Sequence, residues 1–369
     1  MRHVLTALGA LALTTTAGFS GGIDRSGQGI GALFETGDYV ELSFGKVTPS
    51  ISGNAVPGLG GFSSGNMAAA YSQIGMAVKT QLSDNLALGV ILDQPFGANV
   101  KYPTATSYFA RGSTADLSTT AVTAILKYKT ANNISVYGGL RYEMMDAVAA
   151  VPFVGNYKVK SDQAADFGYL VGVAYEKPEI ALRVALTYNS KISHDFNTVE
   201  SSVLTGNANV ARTTTVDSPQ SVNLDFQSGV AKDTLVFGSI RWVNWSKFKI
   251  APAGYLPLTG GSPLVSYDDD TITYNIGVGR RFNENWAGSI SVGYEAKAGG
   301  FAANLGPTDG RTSITIGASY TTANKVKISG GVSYVQIGDA QTSLNGITAA
   351  SNFKGNTAVG VGMKISYSF

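Results

Sequence analysis

Apolar and polar residues alternate with period two over most of the chain, and no helical period persists after residue 40. The clearest stretch is 134–144. There Ile134, Val136, Gly138, Leu140, Tyr142 and Met144 fall on one face, with Ser135, Tyr137, Gly139, Arg141 and Glu143 on the other. At the C-terminus Val359, Val361, Met363, Ile365, Tyr367 and Phe369 alternate with Gly360, Gly362, Lys364, Ser366 and Ser368. Period two puts successive side chains on opposite faces of a strand. Read end to end, the pattern predicts fourteen strands, at 38–47, 66–79, 84–97, 117–129, 134–146, 164–176, 180–191, 219–231, 234–248, 271–283, 285–296, 312–321, 326–337 and 358–369.

The connections between them discriminate further. After the first strand they alternate between long (48–65, 98–116, 147–163, 192–218, 249–270, 297–311, 338–357) and short, such as Lys232-Asp233 and Asn283-Glu284. An antiparallel up-and-down sheet collects alternate connections at opposite ends, and long loops at one end with short turns at the other is the layout of bacterial outer-membrane barrels. Tyr128, Tyr142, Tyr175, Tyr188, Tyr274, Trp286, Tyr294, Tyr320, Tyr334 and Tyr367 sit towards strand ends in phase with the apolar face, where girdles at the lipid–water boundary belong. A soluble sandwich or propeller would carry polar residues on its outer face, and no blade-length repeat is visible. The predicted fold is therefore all-β, a fourteen-stranded antiparallel transmembrane β-barrel.

Composition narrows the function. Charged residues are 14% of the 369, below the roughly 25% of soluble domains. The net charge of +2 gives no basic excess for nucleic acid. There is no cysteine, which removes disulfides, thiolate nucleophiles and sulfur metal sites, and the two histidines, His3 and His194, are too few for a multi-histidine centre. Neither a metal nor another cofactor is expected.

At the N-terminus, Arg2 and His3 precede an uncharged apolar run at 4–13 and the small residues Thr16, Ala17, Gly18 and Ser20, the layout of a secretory signal peptide cleaved between 17 and 21. The expected organisation is a signal peptide at 1–20, a Gly-rich segment at 21–37 and a barrel at 38–369. Residues 21–37 do not alternate. Because a fourteen-stranded barrel leaves internal space, they are expected to form a short plug, or hatch, in the lumen.

Certain motifs carry a resemblance. Gln94-Pro95-Phe96-Gly97 at the end of the third strand, followed by Tyr102 and Arg111, resembles a segment of the FadL-type outer-membrane transporters of hydrophobic compounds. Ile240-Arg241-Trp242-Val243-Asn244-Trp245-Ser246-Lys247-Phe248 is similar to that family's W-x-x-W-S-x-F strand end, and Pro307 to Gly317, with Arg311 and Ile314-Thr315-Ile316-Gly317, to its P-x-x-D-R strand start. The aromatic terminus Tyr367-Ser368-Phe369 resembles the assembly signal that outer-membrane barrels present to the barrel-assembly machinery. The chain departs from the family in two places: Ala32-Leu33-Phe34 is followed by Glu35-Thr36-Gly37-Asp38 in place of an Asn-Pro-Ala turn, and Gly310 stands where an Asp precedes the Arg. The resemblance implies a plugged fourteen-stranded barrel of the bacterial outer membrane. It implies ligand binding first in a groove between extracellular loops and then in an internal pocket. It further implies lateral exit into the lipid at a kink in the third strand, which falls on Pro95, Phe96 and Gly97. Proline cannot donate to a ladder and glycine leaves room, so a break there is physically sensible; the simpler reading is that they end a strand.

Other candidates follow from position. The apolar run 147–154, which includes Phe153, is set to line the surface groove, with Lys158 and Lys160 nearby to meet a carboxylate head group; alternatively the run continues the fifth strand and the lysines are solvated. Arg141, Glu143 and Arg183 point inward by phase, where they meet either a ligand's charge or one another, and Arg311 is similar. Ile30 and Phe34 of the plug are candidates for apolar ligand contact. Ser193-His194-Asp195, placed in a loop, has triad residue types, but adjacent residues cannot converge as a triad does. Asp268-Asp269-Asp270 lacks the spaced ligands of a calcium loop and reads as a solvated tip. The expected function is passive uptake of hydrophobic small molecules, long-chain fatty acids or similar apolar compounds, and not catalysis; an open diffusion porin and an adhesin-like barrel are the alternatives.

Overall fold

A computed structural model describes residues 22–369 of the protein, so the expected signal peptide lies outside the described residues. Fourteen strands follow one another around a closed antiparallel barrel. They are β1 (Tyr39–Ser50), β2 (Tyr71–Ser83), β3 (Leu86–Asp93, resumed as Gly97–Lys101), β4 (Thr114–Lys129) and β5 (Ile134–Val151). Next come β6 (Ala164–Lys177, preceded by Tyr157–Ser161), β7 (Leu182–Asn189, resumed as Ile192–Ser201), β8 (Val210–Ser218, resumed as Ser221–Ala231) and β9 (Thr234–Val243). β10 (Thr271–Arg281), β11 (Trp286–Glu295), β12 (Arg311–Thr321), β13 (Val326–Ile337) and β14 (Thr357–Ser368) complete the set. β14 pairs with β1 from Tyr39 opposite Ser368 to Ser50 opposite Thr357, which leaves no open edge. The expected strand number and closure are borne out.

The alternation has the sense expected for lipid. Leu42, Phe44, Ile74, Met76, Leu140, Val171, Ile276, Ile316, Val332 and Met363 are exposed on the outer face, while Thr119, Thr123, Arg141, Glu143, Asn189 and His194 are buried within. Such a surface is stable only where hydrocarbon covers it. Above the membrane the long connections pack on one another into a cap whose buried residues include Tyr102, Tyr108, Tyr157, Tyr255, Leu264 and Phe353.

Several boundaries differ from the sequence reading. β2 begins at Tyr71 rather than 66, and β9 stops at Val243 because Trp245–Lys247 turns as a 3₁₀ helix. Stretches assigned to loops are strands that rise beyond the membrane. β5 runs on to Val151 through most of the apolar run, and the half of β7 at Ile192–Ser201 pairs with Val210–Ser218. The Ser193-His194-Asp195 tripeptide is thus on a strand and not in a loop. His194 turns inward, fully buried, with Nε2 3.2 Å from Glu143 Oε1. Ser218 donates to that same carboxylate oxygen and not to the imidazole, so the cluster is a wall contact with no activated hydroxyl.

Residues 22–38 lie against the inner wall of the barrel. A 3₁₀ turn at Gly31–Phe34 packs Ile30 and Leu33 against Tyr39, Ile91, Ile125 and Leu170. The Phe34 ring meets Tyr137 edge-on at 5.7 Å and is flanked by Lys127 Nζ at 4.7 Å and the Arg183 guanidinium at 4.8 Å. Lys79 Nζ donates to the carbonyls of Glu35 (2.9 Å) and Gly37 (2.7 Å). These contacts tie the segment to the wall beside the start of β1.

Candidate functional site

The site is built where the third strand breaks. Asp93 faces Ala121 and Gly97 faces Ser118, so four steps along β3 meet three along β4, one residue surplus and hence a bulge. Pro95 has no N–H to give a ladder. The Phe96 backbone turns to a side chain instead: its N–H donates to Thr119 Oγ1 (2.8 Å) and its carbonyl accepts from the same hydroxyl (2.7 Å). On the other side, the β2–β3 ladder ends at Met76 opposite Leu92, leaving residues 71–75 of β2 paired only with β1. The Gln94 side chain patches this edge by accepting from the Ile74 N–H at 3.0 Å. Backbone contact resumes above, where Ala69 N–H donates to the Asn99 carbonyl (3.0 Å) and Lys101 N–H to that of Met67 (2.8 Å). The result is a gap in the wall, bounded below by Met76 and Leu92 and above by Ala69 and Asn99.

The N-terminal segment occupies the inner side of this gap. Asp24 forms an antiparallel bridge with Phe96, Arg25 N–H donates to the Pro95 carbonyl (2.8 Å), and Gly97 N–H donates to that of Ile23 (2.8 Å). Backbone groups that the break removes from the ladder are thereby satisfied, as buried peptide groups require. Side chains fix the contact. Arg241 Nε donates to Asp24 Oδ2 at 2.6 Å, and the same guanidinium donates to Asn223 (2.7 Å) and Gln28 (3.2 Å). Ser26 donates to Asp93 at 2.5 Å.

Two cavities meet at this segment. The upper one, about 130 Å³, is lined mainly by apolar side chains, among them Ile23, Ile51, Met67, Ala98, Leu117, Met145, Ala149, Phe196, Ile250 and Leu264. The lateral one, about 120 Å³, spans the gap, from Ser26, Glu41 and Asp93 inside to Phe44, Ile74 and Met76 on the lipid face. Arg25 borders both.

Of the residues singled out from sequence, Pro95, Phe96 and Gly97 form the break itself, and Phe96 points inward onto Trp245 (5.8 Å, edge-on). Ile30 and Phe34 lie in the cluster beside the start of β1 and line neither cavity. Arg141 faces inward, bonded to Thr123 (3.0 Å) and Asn189 (3.3 Å). Arg311 lies 3.7 Å from Glu295. Phe153 packs on Phe109 in the extracellular cap, and Lys158 and Lys160 point outward, exposed. The apolar run serves the cavity through Ala147 and Ala149. Asp24 and Arg25 went unmarked in the sequence, and Arg241 stood in the motif at 240–248 without a role of its own; the motif at 94–97, whose backbone the N-terminal segment meets, pointed to the place.

Beside the upper cavity the W-x-x-W-S strand end is held by a carboxylate. Asp270, outside the membrane-spanning strands, accepts from Trp242 Nε1 (3.1 Å), Asn244 Nδ2 (2.9 Å) and Ser246 N–H (3.0 Å). Burial works to raise its pKa, but the bonds from Ser246, Asn244 and Trp242 outweigh it and hold the carboxyl below its ordinary value. Asp270 is a staple rather than part of a solvated tip. It fixes Trp245, which is fully buried among Phe96, Phe248 and Tyr267.

Comparison with known proteins agrees with this geometry. The fold is similar to that of a Pseudomonas aeruginosa FadL homologue (TM-score 0.74, 12% identity, 92% of each chain). It is also similar to the P. putida toluene transporter TodX (0.65, 12%, 92% of this chain and 91% of that one) and the Ralstonia pickettii toluene transporter TbuX (0.65, 16%, 99% of each). No curated protein sequence matches the chain. The family model for outer membrane protein transport proteins (OMPP1/FadL/TodX) matches residues 38–369, and the chain therefore belongs to that family, channels of the bacterial outer membrane for hydrophobic compounds.

Proposed function

We propose that apolar small molecules pass the extracellular cap, lodge in the upper cavity, and leave sideways through the gap in β3 into the lipid. The observation that carries this reading is that one short segment, residues 23–26, separates an apolar cavity from an opening onto the membrane. Each CH₂ kept from water along such a route is favoured by about 0.8 kcal/mol. An apolar cavity of about 150 Å³ engineered in another protein holds benzene, so one of about 130 Å³ suits a single aromatic ring or a stretch of acyl chain. TodX and TbuX are toluene transporters by name, and a fatty acid offers the same apolar surface. Pro95, Phe96 and Gly97 shape the exit. Residues 21–37 act as the plug, with Ile30 and Phe34 sealing its foot and Asp24 held by Arg241. Phe153, Lys158 and Lys160 belong to the outer approach, met before the cavity.

Uptake of radiolabelled oleate and toluene by cells lacking their own transporter, with planar-bilayer conductance in parallel, tests the proposal. Saturable uptake of either with little conductance is expected. Large steady conductance without uptake of either contradicts it and describes an open porin.

A further inference from the structure

The extracellular cap holds a further chamber, over β10 and β11 and away from the break in β3. Its volume is about 360 Å³, and it lies between the β9–β10 and β11–β12 connections. Ile272 and Tyr274, exposed on the lipid face near the outer end of β10, form its lip. Tyr267, Gly306 and Thr308 line both this chamber and the upper cavity, so they are the partition between the two. The Tyr267 ring packs on Trp245 (5.3 Å) and Phe248 (5.9 Å). Its hydroxyl makes no hydrogen bond within the described residues, and burial alone raises its pKa. Packing is thus all that holds the ring in place. A Cβ on Gly306 would have one neighbour within 4 Å, the Tyr267 hydroxyl at 4.0 Å. At that point the partition is a single ring facing a residue without a side chain.

Charge sets the chamber apart. Asp268, Asp269, Asp270, Glu295 and Asp309 line it against one lysine, Lys297. Glu295 is matched by Arg311 at 3.7 Å, and Asp309 accepts from the Ala298 (2.7 Å) and Gly299 (3.0 Å) N–H groups. Asp268 and Asp269 stand exposed. Among the described residues no three acidic side chains converge as metal ligands would, so these carboxylates set a field rather than hold an ion.

We propose that this chamber is an entrance for uncharged apolar molecules, which pass Tyr267 into the upper cavity, and that its carboxylates turn anions away. The proposal rests on the reading of the upper cavity given above. A negative field lowers the local concentration of anions and leaves a neutral hydrocarbon untouched. The cap then sorts cargo by charge, with an acidic entrance here and the exposed Lys158 and Lys160 on the other approach.

The test is uptake of radiolabelled toluene and oleate by cells that lack their own transporter and express the full-length protein. Gly306→Leu, which fills the junction, should slow toluene uptake about tenfold, the factor of a 1.4 kcal/mol rise in barrier, and leave oleate uptake near the wild type. Ala298→Cys, exposed at the chamber, should lose toluene uptake when labelled with a bulky thiosulfonate and regain it on reduction. Lys158→Cys labelled alike should keep it. Asp268→Asn with Asp269→Asn should raise oleate uptake about twofold at low ionic strength, the scale of a few tenths of a kcal/mol between exposed charges, and not at high. Unchanged oleate uptake in that double variant overturns the sorting by charge. Toluene uptake that survives both blocks, or toluene and oleate slowed alike by Gly306→Leu, overturns the entrance and leaves the hydrophobic route standing. Absence of uptake of both compounds by the wild type overturns the route as well.

Discussion

The two halves of the barrel are built differently. Along β10–β14 the ladders run without a register shift, as from Arg311 opposite Ile337 to Thr321 opposite Lys327. The inward positions there are largely small, with Ser289, Ser291, Gly317, Ser319, Ser329, Gly331 and Ser333. Around β3 the ladder fails, and a separate segment of chain supplies the missing hydrogen bonds. A regular sheet satisfies its own backbone and needs nothing from the lumen. A broken one must borrow partners, and whatever lends them is positioned to close the break. The gap and the N-terminal segment are in that sense one device: neither is satisfied without the other.

Breaking the loan on one side should therefore matter far more than disturbing the other. Arg241→Ala leaves Asp24 buried without its cation, a penalty of about 3–5 kcal/mol, while also freeing Gln28 and Asn223. With each 1.4 kcal/mol worth a factor of ten, the segment should spend most of its time released. Planar-bilayer recordings of this variant should show steady conductance that the wild type lacks. Ser329→Ala, a buried change in the regular half, should leave conductance at the wild-type level. Equal conductance for Arg241→Ala and wild type would mean that the segment is held by something other than this ion pair.

A smaller effect sharpens the comparison at the edge of the site. Asp270→Asn weakens the staple on Trp242, Asn244 and Ser246, with an expected cost of about 1 kcal/mol given its partial exposure. Because the folded carboxyl titrates below its ordinary value, its contribution is present above the unfolded pKa of about 4 and is lost as pH falls through the lower, folded value. Urea unfolding in detergent should show a stability difference between wild type and Asp270→Asn at pH 7 that closes at the acid end. A difference that persists at pH 2 would assign the effect to shape rather than charge.

Much of this was legible in the chain. Alternation identified the fourteen strands because lipid on one side and a polar lumen on the other make each face chemically distinct. Gln94-Pro95-Phe96-Gly97 announced a break because proline and glycine act locally. Where alternation changed meaning it misled. Ile192–Ser201 puts Ser193, Asp195 and Asn197 outward above the membrane, so a strand looked like a loop. In the apolar run at 147–154 both faces are greasy, one towards the cavity, and the period disappears. The junction itself was illegible. Arg25 meets Asn99 from 74 residues away, and Asp24 meets Arg241 from 217 away, without a periodic or local sign in a Gly-rich segment.

The central claim is that cargo leaves through the gap beside β3, and the absence of cysteine allows a direct test. Ile74→Cys with Gln94→Cys places two thiols on the facing edges of the gap, where the Gln94 side chain now bonds the Ile74 backbone. Oleate uptake would be measured after bridging the pair with a short bifunctional thiosulfonate, and again after reduction. The account predicts that uptake is lost on bridging and recovers on reduction, while either single variant treated alike stays near the wild type. Undiminished uptake through a bridged gap would contradict lateral exit and send the ligand down the lumen instead.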